Sequence, residues 1–237
     1  MIFNGIRKPY IHVLSGRVRP FFAPLIRSSK FDSRLVQTER GHRIIEVPVY
    51  IKFKSLSEFR RLTEDIAAWL VHDEPKPLEF ADEPDRLYFA IVDDTVNEET
   101  LYLGGAPTVF RFICGHKYSK ERQLTINNTL STNIKGHKST FWRTRTVFSS
   151  NQTNYEIVFA KLGAADFRNI GKVRLNYNFI PGDVLEIDYL KRKVTLNGND
   201  ITNTVVVTQT NFMELPIGTV NFLVSHPTQF FYHERYH

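Results

Sequence analysis

The sequence predicts a mainly β protein of two domains with one α-helix, and three observations support this fold class. Aromatic residues make up 13% of the 237 residues, with 19 Phe and 10 Tyr, and such side chains pack well on the faces of sheets. Many apolar residues recur at every second position, as on strands with one buried face. Only one stretch, between Ser55 and Leu70, repeats its apolar residues convincingly at helical spacing.

The helix is predicted to run from Ser55 to Leu70. Ser55 and Glu58 form a capping box, in which the two side chains satisfy free N–H groups at the start of a helix. Pro75 and Pro77 follow the stretch, and proline cannot continue a helical hydrogen-bond ladder. One narrow face is apolar, so the helix is expected to cover a sheet. That face consists of Phe59, Leu62, Ile66, Trp69 and Leu70.

Strands are predicted on both sides of this helix. Pro48 cannot donate to a strand ladder, so the first of them is expected at a sheet edge or a bulge. The predicted strands of the N-terminal half are residues 43–53, 86–92, 100–103 and 108–114.

A polar stretch at residues 117–138 has no sustained period and is interpreted as the join between two domains. The predicted domains are therefore residues 1–138 and 139–237, with the last residues as a candidate return to the N-terminal domain. The second domain shows short alternating strands with no helix, which predicts a β-sandwich. Its Asn197-Gly198 dipeptide predicts a tight hairpin turn.

Charge is distributed in two opposed blocks. Residues 1–54 hold eleven Lys or Arg against three acids, a net charge of +8, and residues 73–99 hold ten acids against two bases, a net charge of −8. The blocks are either two solvated faces or complementary surfaces that meet between neighbouring subunits. Because a nucleic-acid binder keeps its basic surface uncompensated, sequence-specific nucleic-acid binding is not expected.

The first 42 residues are interrupted by prolines and place aromatic side chains beside positive charges. This pattern is interpreted as an extended arm or hairpin that packs on a protein neighbour. The candidate subunit-interface residues are Arg17, Arg19, Phe21, Phe22, Arg27 and Lys30.

No group of residues forms a convincing catalytic or metal site. Cys114 and His116 could form a dyad, although a half-buried structural cysteine is the more common case. His233 and His237 have helical metal-ligand spacing on a stretch that reads as a strand. Asp183, Glu186 and Asp188 could supply the paired carboxylates of a glycosidase, but Glu186 and Asp188 alternate as the solvent face of a strand does. The protein is therefore expected to be no enzyme and to need no metal or cofactor.

Two further functions stay open. Trp142 shares a strand face with two threonines and is a candidate glycan platform, although core or interface packing is the more frequent use of tryptophan. A hydrolase would need a cleft with a perturbed carboxylate or a Cys–His pair. The N-terminus lacks the apolar core of a signal peptide, and no apolar stretch is long enough to cross a membrane, so synthesis in a cytoplasm is expected.

Seven motifs follow one another along the chain: FNG (3–5), GHRIIEVPV (41–49), AAWL (67–70), PDRLYFA (84–90), IPGDVLEID (180–188), KVTLNG (193–198) and FMELPIG (212–218). In this order they resemble the distal tail proteins of long-tailed bacteriophages. After FIC at residues 112–114 the chain has Gly115-His116, where that family commonly has Asp-Pro.

The resemblance implies an N-terminal β-sandwich with the single helix and an extended hairpin, and a galectin-like C-terminal β-sandwich. It implies a virion protein, made in the bacterial host cytoplasm, that forms a homohexameric ring at the tail tip or baseplate. The ring would join the tail tube protein to a tail-tip protein, a tail-associated lysin or a receptor-binding protein and leave a channel for DNA. The alternative is a tail module that contacts host cell-wall polysaccharide through its C-terminal sandwich.

Overall fold

The structure is a computed structural model, and it divides the chain into two compact units. The first unit is Met1–Tyr118 with His237, and the second is Ser119–Tyr236. Side chains are described except those of residues 25–40. The described residues are 1–31, 34–93, 104–163 and 170–237.

One curled sheet and one helix make up most of the first unit. Its sheet has the strand order β1-β6-β7-β8-β5-β2, while β3 and β4 form a separate antiparallel hairpin. The described elements are β1 (Ile2–Phe3), β2 (Ile11–Val13), β3 (Leu25–Phe31), β4 (Arg34–Arg40), β5 (Arg43–Lys52), α1 (Leu56–Leu70), β6 (Lys76–Glu79), β7 (Arg86–Val92) and β8 (Gly105–Ser119).

Helix α1 covers the core of this unit, as its apolar face predicts. Ser55 caps the helix by accepting from the Glu58 N–H at 3.2 Å, and the Glu58 carboxylate accepts from the Lys54 N–H at 2.6 Å. Trp69 donates its indole N–H to the Phe3 carbonyl at 3.0 Å, which ties β1 to the helix. The predicted face is buried except for Leu62, which is partly buried.

Strand β5 alternates between buried and half-buried residues, and this explains the position of Pro48. The Pro48 carbonyl accepts from the Leu14 N–H at 2.8 Å, on the side of β5 that faces the short strand β2. In an antiparallel ladder the N–H of a residue points to the same side as its carbonyl. The missing N–H therefore falls where β2 has already ended, and no hydrogen bond to the long strand β8 is lost.

Two sheets packed face to face make up the second unit. One has the order β10-β17-β12-β13 and the other the order β16-β15-β14-β11-β18-β9. Their strands are β9 (Arg122–Ile126), β10 (Thr129–Ile134), β11 (Trp142–Val147), β12 (Gln152–Lys161), β13 (Ile170–Phe179), β14 (Val184–Asp188), β15 (Lys193–Leu196), β16 (Asn199–Asp200), β17 (Gly218–Val224) and β18 (Thr228–Tyr232). The short strand β19 (Arg235–Tyr236) follows them and belongs to neither sheet.

Aromatic side chains from both sheets form the core of the second unit. Trp142 of β11 stacks on Phe230 of β18, with ring centroids 5.3 Å apart, and meets Phe159 of β12 edge-on at 5.3 Å. Phe148 stacks on Phe179 at 4.2 Å. Because these rings join the two sheets, the second unit is a β-sandwich.

The domain join predicted at residues 117–138 is wrong. Strand β8 continues to Ser119, and residues 122–134 form β9 and β10, which belong to the second unit. Both strands are at sheet edges, and most of their residues are exposed, which accounts for their polar composition. Ile126 and Ile134 are buried.

The mainly β fold class with a single covering helix is confirmed for the described residues. Asn197 and Gly198 both have positive φ, 51° and 84°, and connect β15 to β16 as the predicted tight turn. The expected N-terminal β-sandwich would have two facing sheets. The described part of the first unit instead has one curled sheet and a separate hairpin. The strand predicted at residues 100–103 lies outside the described residues. None of the helices in the described part of the chain is long and apolar enough to cross a bilayer.

Candidate interaction surface

The segment that carries Arg17 and Arg19 lies along β5, where Val18 and Glu46 exchange backbone hydrogen bonds at 3.0 Å. This pairing directs both guanidinium groups toward the acidic turn that follows β6. Arg17 lies over the Phe80 ring, 4.2 Å from its centroid, and forms an ion pair with Asp82.

Glu83 is the centre of this charged cluster. Its carboxylate accepts from Arg19 at 2.7 Å, from Lys117 at 2.6 Å and from the Tyr88 hydroxyl at 2.9 Å. Burial opposes the charged form of Glu83, but the hydrogen bonds from Lys117 and Tyr88 and the charges of Lys117 and Arg19 hold its pKa below the ordinary value. For Tyr88, burial and then the Glu83 carboxylate raise the pKa.

The cluster pairs part of the basic block with part of the acidic block inside one chain. Arg17 and Arg19, which the sequence suggests for a subunit interface, meet the acidic block within the same chain at Asp82 and Glu83. Their side chains keep only 19% and 27% of their surface exposed. The charges of Arg17 and Arg19 are therefore balanced within the chain. The prediction that both pair with an acidic surface of a neighbouring subunit is corrected accordingly.

Substitution of Glu83 by Gln tests this cluster. Because Glu83 has a lowered pKa, it stabilises the fold above its unfolded-state pKa near 4.5, and this stability is lost as the pH falls through the lower folded-state value. Glu83→Gln is expected to lower the free energy of unfolding by about 1–3 kcal/mol at pH 7. The variant should also show a smaller decrease in the free energy of unfolding below pH 4.5 than wild type does.

Urea unfolding at pH 7, 4.5, 3.5 and 3 measures both effects. Glu64→Gln, on the exposed face of α1, is the matched control. Asp65 and Asp82 also have lowered pKa values, so part of the wild-type acid dependence should persist in Glu83→Gln. An acid dependence identical to that of wild type would contradict the role of Glu83.

Arg43 is buried beneath this cluster, with 1% of its surface exposed. Its Nη2 donates to the Phe21 carbonyl at 2.9 Å, and its guanidinium carbon lies 5.6 Å from the centroid of the Tyr88 ring. Its Nε and Nη1 atoms have no hydrogen-bond partner among the described residues. The hydrogen bond from Arg43 therefore holds the backbone at Phe21, while the Phe21 side chain stays exposed.

An exposed apolar surface results at the predicted arm. Phe21 and Phe22 expose 90% and 60% of their surfaces, and Val18 exposes 51%. Aromatic side chains this exposed are typical of sites that another protein covers. Arg27 and Lys30, the other two predicted interface residues, are on β3, and their side chains lie outside the described part of the structure.

The glycan platform predicted at Trp142 is wrong, because the indole ring has only 1% of its surface exposed. Its N–H donates to the Met213 carbonyl at 2.8 Å, and its faces stack on Phe230 and Tyr189. Trp142 shares its strand face with Thr144 and Thr146, but that face points into the sandwich.

The candidate catalytic groups are placed in structural roles. Burial raises the pKa of the Cys114 thiol to about 12, although the charge of Arg43 opposes this shift, so the thiolate nucleophile is suppressed. Asp183 accepts from the Ile180 N–H and the Asn197 side chain, which holds a turn together. Within the described residues, no three side chains of His, Cys, Asp or Glu converge as metal ligands do.

Sequence reasoning does not identify the partners of the basic arm. These partners are Asp82 and Glu83, and Lys117 also binds Glu83. Arg43 lies beneath them, although its sequence context indicates only a strand. The net charge of −8 over residues 73–99 was the available signal. That number did not reveal which acids fold back onto Arg17 and Arg19.

Two family models match consecutive parts of the chain. The phage tail protein RIFT-related domain matches residues 32–102, and the C-terminal domain of siphovirus-type tail components matches residues 135–236. The second match begins after β10 and covers most of the sandwich. The chain is thus a siphophage-type tail component.

A curated relative and solved structures extend this result. The distal tail protein of Bacillus phage SPP1 is 32% identical over 165 residues, which are 67% of this chain and 62% of the relative. The aligned part is therefore less than two thirds of that relative's length. Together with the two family models, this similarity shows that the chain belongs to the distal tail protein family.

The fold similarity extends over nearly the whole chain. The crystal structure of SPP1 Dit, described as a paradigm of the hub adsorption apparatus in phages that infect Gram-positive bacteria, matches with a TM-score of 0.72 and 18% identity. It covers 99% of this chain and 97% of that chain. A chain of the phage P2 baseplate in its activated conformation with Ca matches with a TM-score of 0.66 and 8% identity, covering 95% and 90%.

Proposed function

We propose that this protein is a structural hub of a phage tail tip or baseplate. The observation that carries the proposal is family membership together with a fold that matches a tail hub structure over 99% of the chain. In this role the protein is a virion component made in the host cytoplasm, and it contributes binding surfaces without catalysis.

The finer proposal is a homohexameric ring that joins the tail tube protein to the tail-tip, lysin or receptor-binding proteins and leaves a channel for DNA. One heterologous contact, repeated by rotation, closes into a ring without any further element. The exposed Phe21 and Phe22 support a contact of this kind at the first unit. Arg43 supports it as well, because it holds their backbone in place through the Phe21 carbonyl.

Phe21→Ser combined with Phe22→Ser tests the proposed contact. Loss of two exposed aromatic side chains from an interface core is expected to weaken association at least about tenfold, because aromatic anchors dominate interface energies. Sedimentation velocity measures the masses over a range of concentrations, with and without the tube protein, and negative-stain images show whether rings form.

Val207→Ser is the matched control, since Val207 exposes 81% of its surface in the second unit. Circular dichroism should show unchanged folding in both variants, because all three side chains are exposed. Wild-type protein that stays monomeric at every concentration and with the tube protein would overturn the ring. Rings that form equally well in the double variant would overturn the assignment of the contact to Phe21 and Phe22.

A further inference from the structure

A groove in the second unit is not used by the hub role. Two adjoining cavities of about 690 and 600 Å³ share Ser139, Lys161, Glu214 and Pro216 in their linings, so they form one depression. Its volume is in the range of small-molecule sites. The walls come from five segments: before β11, at the end of β12, at Tyr189 after β14, before β17 and at Arg235 of β19.

The walls of the groove are held by backbone hydrogen bonds within the unit. Thr140 and Leu215 exchange two backbone hydrogen bonds, at 3.0 and 2.8 Å. The His137 N–H donates to the Arg235 carbonyl at 2.7 Å, and the Leu162 N–H donates to the Thr219 carbonyl at 2.8 Å. The groove is therefore preformed, which lowers the ordering cost of binding.

One wall is aromatic. Tyr189 stacks on the buried Trp142, with ring centroids 5.8 Å apart and an angle of 29° between the planes. Because Trp142 is itself fixed by Phe230, the Tyr189 ring has a fixed orientation. Phe212 and Met213 extend this apolar wall. Such a wall suits a flat ring with apolar faces and polar edges.

The polar groups of the groove are oriented and carry net positive charge. Glu214 accepts from the Ser139 hydroxyl at 2.5 Å and lies 3.5 Å from Arg235 Nη1, but 40% of its side chain stays exposed. Lys138 and Lys161 are exposed on the same rim. Lys138, Lys161 and Arg235 against Glu214 give three positive charges minus one negative, a net charge of +2.

We infer that this groove binds a saccharide that carries an anionic group. The sugar ring packs on Tyr189, its hydroxyl groups donate to Glu214, and its carboxylate or phosphate accepts from Lys138 and Lys161. An acidic peptide fits less well, because peptides commonly add to a free strand edge and the backbone groups named above are already paired within the chain. The site goes beyond the hub role and does not depend on ring assembly.

Titration calorimetry of the full chain tests the site with five probes. They are a uronate-bearing hexasaccharide, a phosphodiester-linked oligosaccharide, a neutral glucose hexasaccharide, inorganic phosphate and a poly-glutamate peptide. The uronate or the phosphodiester saccharide is expected to bind about three- to tenfold more tightly than the neutral one, the range that one or two exposed ion pairs supply. Whichever binds more tightly identifies the anionic group.

Variants then locate the binding. Lys138→Gln with Lys161→Gln should remove the preference for the anionic saccharide, and Tyr189→Leu should weaken all saccharide binding. Lys135→Gln, an exposed lysine outside the groove, should change nothing. Thermal melting checks that each variant is folded, and the lysine variants keep the test decisive if Tyr189→Leu unfolds.

Four results would overturn the inference. They are no binding of any saccharide, equal binding of the neutral saccharide, binding by inorganic phosphate or poly-glutamate as tight as by the saccharides, and equal weakening by Lys135→Gln. Ring formation is measured separately by sedimentation, so failure of the site and failure of the hub role are distinguishable.

Discussion

Trp142→Ala is expected to lower the free energy of unfolding of the second unit by about 3–5 kcal/mol, the cost of deleting a large buried aromatic side chain. Three rings lose their contact with the indole, because Trp142 touches Phe230, Tyr189 and Phe159. The Met213 carbonyl also loses its donor at 2.8 Å. Both sheets of the sandwich contribute to this cluster, so collapse around the cavity is limited.

Guanidinium unfolding followed by circular dichroism measures this change. Trp142→Phe is the control, because it keeps an aromatic ring between the sheets and loses the hydrogen bond, and its cost should be clearly smaller. A loss below about 1 kcal/mol for the alanine variant would mean that the indole is not a core residue. It would also support the prediction that Trp142 is an exposed glycan platform.

Trp69→Ala is expected to cost a similar amount, about 3–5 kcal/mol, in the first unit. The Trp69 ring meets Phe3 and Phe110 edge-on, with centroids 6.1 and 6.4 Å apart. Its N–H also holds the Phe3 carbonyl, so this variant should release β1 from the helix as well as open a cavity.

Amide hydrogen exchange separates these two consequences. The Asn4 N–H, which donates to the Pro77 carbonyl at 2.8 Å, should lose protection in Trp69→Ala. Leu62→Ala, on the same helix and only partly buried, should leave Asn4 protected and cost less. Retained protection of Asn4 in Trp69→Ala would contradict the tie between the helix and β1.

Helix α1 and the strands that alternate cleanly, such as β5, could be predicted from the sequence because their periodicity is local. The apolar residues of α1 and the alternation of β5 report which side of each element is buried, and both patterns survive in the structure. The Asn197-Gly198 turn is local in the same sense, since both residues need positive φ.

Long-range pairing was not available from the sequence. The polar strands β9 and β10 are held in their sheets by partners 84 to 110 residues away in β17 and β18. The prediction of a glycan platform at Trp142 was wrong for a related reason. Alternation reports that it shares a face with two threonines, but not whether that face meets solvent or the second sheet.

The interaction surface shows the same limit. Net charge identified a basic arm and an acidic block, but the pairing of Arg17 with Asp82 depends on where the arm lies along β5. The groove at Tyr189 could not be predicted, because its lining comes from five separate segments, none of which carries a binding motif by itself. The residues of such a site come together only in the folded chain, so their spacing in the sequence does not predict it.

The two tryptophans have a practical consequence for following this protein in solution. The chain contains only these two, and each is buried in a different unit with its N–H bonded to a backbone carbonyl. Trp69→Phe would leave an emission spectrum that reports the second unit alone, and Trp142→Phe one that reports the first. The protein thus contains two natural fluorescent labels by which the melting of each unit can be watched separately, without an added dye.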